Sequence, residues 1–89
     1  MRERYLEVTF RQGRVLAAYL YLPRPAGAKS ARTERAGDGL LVDFDADGNA
    51  IGLELTAPTR VSLDQLNGAL ARIGAAPVGP DELAPLRAA

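Results

Sequence analysis

The sequence predicts an α+β domain, an antiparallel sheet of four or five strands with one C-terminal amphipathic helix packed on one face. Three observations predict it. Residues 4–22 and 40–56 each read as a β-hairpin, an apolar alternation that folds back on a glycine-bearing turn. After Ala57-Pro58 the apolar period lengthens, with Leu63, Leu66, Leu70 and Ile73 recurring at helical spacing over about 63–73. Finally, 89 residues make one small domain, divided into a β-rich part over 1–56 and a helical part over 57–89.

In the first hairpin, Arg4 to Phe10 places Leu6, Val8 and Phe10 on one face and Tyr5, Glu7 and Thr9 on the other. A three-residue loop of Arg11-Gln12-Gly13, with Gly13 at positive φ, sets Val8 against Leu16, Leu6 against Ala18 and Tyr5 against Tyr19. The return strand, Val15 to Leu22, is apolar on both faces and reads as an interior strand. Pro23-Arg24-Pro25 ends it, because proline has no N–H to donate to a ladder. Ser30 to Ala36 alternates mostly polar residues, which suits a short edge strand whose charges discourage further pairing.

Gly37-Asp38-Gly39 turns the chain into the second hairpin. Either a two-residue turn on Asp47-Gly48 or a four-residue loop from Ala46 to Asn49 sets Phe44 opposite Ile51, Val42 opposite Leu53 and Leu40 opposite Leu55. A three-residue loop would instead set Ile51 against Asp43. The helix start is well marked. Ser62 is a natural N-cap, Gln65 completes a capping box, and Val61 and Leu66 are spaced as a hydrophobic staple. Gly74 ends the helix in a left-handed cap, and Pro80 opens one further helical turn, interrupted at Pro85.

Composition narrows the chemistry. The chain has no cysteine, which removes disulfides and thiolate chemistry, and no histidine, which removes the commonest general base and zinc ligand. The longest apolar run, Val15 to Leu22, is far short of the ~20 residues of a membrane helix, and Met1-Arg2-Glu3-Arg4 has no apolar secretory core. A cytoplasmic protein without membrane contact is expected. Residues 1–35 carry eight Arg or Lys against three Glu, and residues 36–89 three Arg against eight acids. The halves cancel, and a net charge of zero argues against a dedicated nucleic-acid binder.

One stretch has the look of a site. Asp43, Asp45, Asp47, Gly48 and Glu54 satisfy the spacing of a helix-flanked calcium loop. The flanks oppose it: Gly37-Asp38-Gly39 breaks any preceding helix, and Ile51, Leu53 and Leu55 alternate as in a strand. The hairpin reading puts Asp43, Asp45 and Glu54 on a solvent face and gives Asp47 to turn geometry, so no metal ligand is expected. Tyr5, Tyr19 and Tyr21 fall on the same side of the first hairpin and are read as an interface rather than a nucleic-acid stacking platform. Ser30 and Ser62 lack a partner base.

Ala17-Ala18-Tyr19-Leu20-Tyr21-Leu22, then Thr33, then Asp38-Gly39, Val42-Asp43, Asp45, Gly48 and Gly52-Leu53-Glu54 form a connected text. It resembles a family of small bacterial proteins known only as a domain of unknown function, whose shared pattern is a tyrosine strand, a threonine and D-G-x-x-V-D-x-D-x-x-G-x-x-x-G-[IL]-E. The resemblance covers about residues 15–56. That family usually carries aspartates before the tyrosine strand, where this chain has Arg11-Gln12-Gly13-Arg14. The resemblance implies a compact β-rich fold and no catalytic residue.

The expected protein is therefore a non-catalytic accessory or partner-binding module, regulatory or antitoxin-like, without a cofactor. It is expected to form a homodimer and to meet an unidentified protein partner, because one helix cannot cover both faces of the second strand. The alternative is a weak divalent-cation protein using the Asp43–Glu54 stretch.

Overall fold

The computed structural model describes residues 3–87. Five strands, β1 (Tyr5–Arg11), β2 (Arg14–Tyr21), β3 (Arg32–Gly37), β4 (Leu40–Phe44) and β5 (Ala50–Leu55), precede the helices α1 (Leu63–Arg72) and α2 (Ala84–Arg87). The strands form one antiparallel sheet in the order β1-β2-β5-β4-β3, so β2 is interior and the charged β3 is an edge. No helix among the described residues is long and apolar enough to cross a membrane.

Leu20 and Ala18 of β2, Val42 and Leu40 of β4, and Leu53 and Leu55 of β5 share one face. There they meet Leu66, Ala69 and Leu70 of α1 and Val78, Leu83 and Leu86 of the C-terminal segment. The expected helix start is present in full: Ser62 Oγ accepts from the Gln65 amide at 3.1 Å, and Gln65 Oε1 from the Ser62 amide at 2.8 Å. Gly74, at φ +74°, ends α1, with the Ala75 amide bonded back to the Leu70 carbonyl and the Gly74 amide to that of Ala71.

The C-terminal segment departs from the expectation of a single helix. A 3₁₀ turn at Pro80–Leu83 runs straight into α2, and Pro85 does not interrupt it. Pro85 is the second residue of α2 and follows directly on the last 3₁₀ bond, from the Ala84 amide to the Asp81 carbonyl, so its missing N–H falls where the bonding passes from one helix type to the other. Among the described residues, two side chains tie this segment down. Asn67 of α1 exchanges two hydrogen bonds with the Val78 backbone. Arg4, just before β1, binds the Glu82 carboxylate and the carbonyls of Ala76 and Pro77.

Both hairpins depart from the expected turns, and each does so by pairing a tighter or looser loop with a β-bulge. In the first, Gln12 (φ 53°) and Gly13 (φ 78°) alone make the turn, as type I′ requires. Leu16 is then the extra residue between Val15, opposite Phe10, and Ala17, opposite Thr9. The register becomes Val8 with Ala18, Leu6 with Leu20 and Tyr5 with Tyr21, two residues from that expected. The even shift keeps the residues from Ala17 onward on their faces, but short of the bulge the faces exchange: Val15 now packs against the core, and Leu16, expected opposite Val8, is exposed.

In the second hairpin the loop has three residues. The Asp45 amide bonds to the Asn49 carbonyl at 2.9 Å and the Gly48 amide to the Asp45 carbonyl at 3.1 Å, with Gly48 at φ +86°. That loop was expected to misplace the apolar set. A bulge at Ile51 corrects it: Phe44 faces Ala50, Asp43 faces Gly52, and Val42 and Leu40 still meet Leu53 and Leu55. Ile51 is buried yet lies outside the core cluster.

Candidate functional site

The helices cover one face of the sheet, and the reverse face carries the side chains the sequence singled out. Cross-strand register arranges them in two rows. One row runs Tyr5, Tyr21, Gly52, Asp43, Thr33 from β1 to β3. The next runs Glu7, Tyr19, Glu54, Leu41, Arg35.

Tyr19 leans out of its own row and across Gly52, where an added β-carbon would overlap the tyrosine ring and hydroxyl. The glycine is therefore a slot for an aromatic ring. Across it the Tyr19 hydroxyl donates to Asp43 Oδ2 at 2.8 Å, while the Thr33 hydroxyl donates to Asp43 Oδ1 at 2.6 Å. Three strands are joined through one half-buried carboxylate. Burial, and then the Asp43 carboxylate that accepts its proton, push the Tyr19 hydroxyl far above the ordinary tyrosine range.

The other tyrosines build outward from this bond. Tyr5 stacks on Tyr21, ring centroids 4.4 Å apart at 15°, and Tyr19 meets Tyr21 edge-on at 4.6 Å. The Arg24 guanidinium lies 5.0 Å from the Tyr21 ring centroid. Tyr21 donates to Glu7 at 3.2 Å, and burial followed by that carboxylate raises its pKa. Tyr5 is 47% exposed.

The acids of the calcium-like pattern part company. Asp43 points onto the reverse face. Asp45 stays in the turn, where its Oδ1 accepts from the amides of Asp47 and Asn49 at 3.0 and 2.9 Å. Glu54 lies in the second row beside Tyr19 and Leu41, and Asp47 is exposed in the turn. Among the described residues no group of three or more acids is arranged to hold a metal ion. A cleft of about 530 Å³ opens on the other side, between β3 and α1, over Val42, Phe44, Ala50, Ala69 and Ile73. Its charged rim is engaged within the fold: Glu34 pairs with Arg32 at 2.8 Å and Arg72 donates to the Ala36 carbonyl at 2.7 Å.

Sequence reading grouped the three tyrosines but gave no role to Thr33 or Gly52. The signal was present in the text that joins Tyr19, Thr33, Asp43 and Gly52, residues now seen to touch in space. A family model described as "Protein of unknown function (DUF2283)" matches residues 17–57, and the chain is similar to that family over this stretch. All four residues fall within it. No curated protein and no solved structure matches the chain.

Proposed function

We propose that the protein is a non-catalytic accessory module, regulatory or antitoxin-like in kind, that forms a homodimer and meets a protein partner through the uncovered face of its sheet. The supporting observation is the aromatic group of Tyr5, Tyr19 and Tyr21, held rigid by the bond from Tyr19 to Asp43 on a face that no helix covers. Tyrosines fixed in place lose little side-chain freedom on binding, which suits them to contact protein. Each Asp43 oxygen already accepts a hydroxyl proton, and Tyr19 holds its own proton firmly, so the group is poorly placed to act as acid or base. Affinity capture with the wild-type chain and with a Tyr5→Ala, Tyr21→Ala variant tests the reading. Loss of the captured protein in the variant supports it, and equal capture by both overturns it.

A further inference from the structure

We infer that two copies of the chain join edge to edge through β1, which makes one continuous ten-stranded sheet. The inference rests on the homodimer reading above and names its geometry, leaving both tyrosine faces open on the same side.

The two edges of the sheet are unlike. β3 presents Arg32, Glu34 and Arg35, charges that oppose pairing with another strand. β1 carries no charge between Glu7 and Arg11, contains no proline, and makes no backbone hydrogen bond among the described residues beyond those to β2. The exposed large apolar residues gather there too: Tyr5, Phe10 and Leu16 are about half exposed, at 47%, 51% and 53%, and all belong to the β1–β2 hairpin.

The strand is also complementary to itself. An antiparallel pair that keeps both sheets facing the same way must centre its two-fold axis on a residue of β1. An axis on Glu7 sets like charges together, and one on Thr9 shortens the overlap at both ends. An axis on Val8 uses the whole strand. It sets Leu6 against Phe10 of the second copy and Val8 against Val8 on the core side, and Tyr5 against Arg11 on the other. Arg11 makes no ion pair among the described residues, and its charge is a diagonal step from the second copy's Glu7.

Sedimentation equilibrium on three chains tests this. Wild type is expected to dimerise at micromolar concentration. Phe10→Lys, at a half-exposed site where folding tolerates a charge, is expected to weaken the dimer by roughly tenfold or more, since the two-fold axis sets a lysine against an apolar Leu6 at two places in each dimer. Leu41→Lys, in the middle of the uncovered face, should leave it unchanged. A dimer lost with Leu41→Lys and kept with Phe10→Lys means the copies stack face to face, which overturns the edge pairing while the homodimer stands. A monomeric wild type overturns both. As the chain has no cysteine, Val8→Cys gives a second measurement. Opposed α-carbons about 4.5–5.5 Å apart fall within disulfide range, so mild oxidation should yield a covalent dimer, and a chain that stays uncrosslinked counts against the Val8 axis.

Discussion

The two faces of the sheet are made from alternate residues of the same strands, but they hold together by different means. The covered face holds an apolar core with charges only at its β3 rim: every buried side chain in its cluster is a hydrocarbon, and no polar side chain is buried among them. The uncovered face has few hydrocarbons. It is fixed by directed contacts, a hydroxyl donated across a glycine, a second from Thr33 and an offset stack of rings. Apolar packing tolerates exchange of shape among similar residues, whereas directed contacts demand particular atoms at particular places. The covered face supplies stability, and the uncovered one supplies a defined surface.

That contrast can be broken from either side. The largest effect belongs to the covered face: Leu53→Ala, at a position with no exposure, should cost about 2–5 kcal/mol in chemical denaturation through lost burial and a cavity. A loss well under 1 kcal/mol or so would mean that the core closes around the gap. Next comes Gly52→Ala, where a single methyl group must push Tyr19 aside and strip Asp43 of a donor. We expect about 1–3 kcal/mol, and near-silence once Tyr19→Ala has emptied the slot. Additive losses in the double variant would show that the glycine matters for its backbone and not for the ring.

Tyr19→Phe should cost less, about 1 kcal/mol, because it removes a hydrogen bond and keeps the ring. It also has a pH signature. The folded chain keeps the Tyr19 proton to a higher pH than the unfolded chain does, so the associated stability is complete below about pH 10 and declines as pH rises above it. Denaturant midpoints measured from neutral to strongly alkaline pH should fall less steeply in Tyr19→Phe than in wild type. Parallel curves would refute the coupling.

The smallest expected effect is that of calcium. With Asp45 turned onto its own loop amides and Asp43 shared between Tyr19 and Thr33, titration calorimetry should find no site tighter than about 10⁻⁴ M. Micromolar binding that Asp45→Ala or Glu54→Ala removes would make the cation reading the leading one.

The same contrast explains what was legible beforehand. Alternation is a statement about faces, so Leu20, Val42, Leu53 and Leu55 were readable as core, and the capping text around Ser62 fixed the start of α1. Alternation says nothing about where an extra residue enters. Leu16 and Ile51 are bulges whose only sequence trace is that the expected loops are each one residue off, an error the bulges then absorb. The uncovered face was harder still. Tyr19 and Asp43 are 24 residues apart and Thr33 and Asp43 are 10 apart, and their contact depends on the strand order and on a slot over Gly52. Neither is written in local propensity. The C-terminal segment was legible only in part: Pro80 marks the start of its 3₁₀ turn, but a proline at position 85 reads as a stop, while the chain changes there from 3₁₀ to α-helix and continues.

Arg4 gives the fold a temporal order. Its bonds to Glu82, Ala76 and Pro77 span 72 to 78 residues of chain, while the turns of the two hairpins close over a few residues each. Loop closure over such a distance has little to offset its entropy until the sheet and α1 already stand. On that argument Arg4→Ala is expected to quicken unfolding and leave the folding rate nearly untouched, and the two arms of a denaturant chevron would check it.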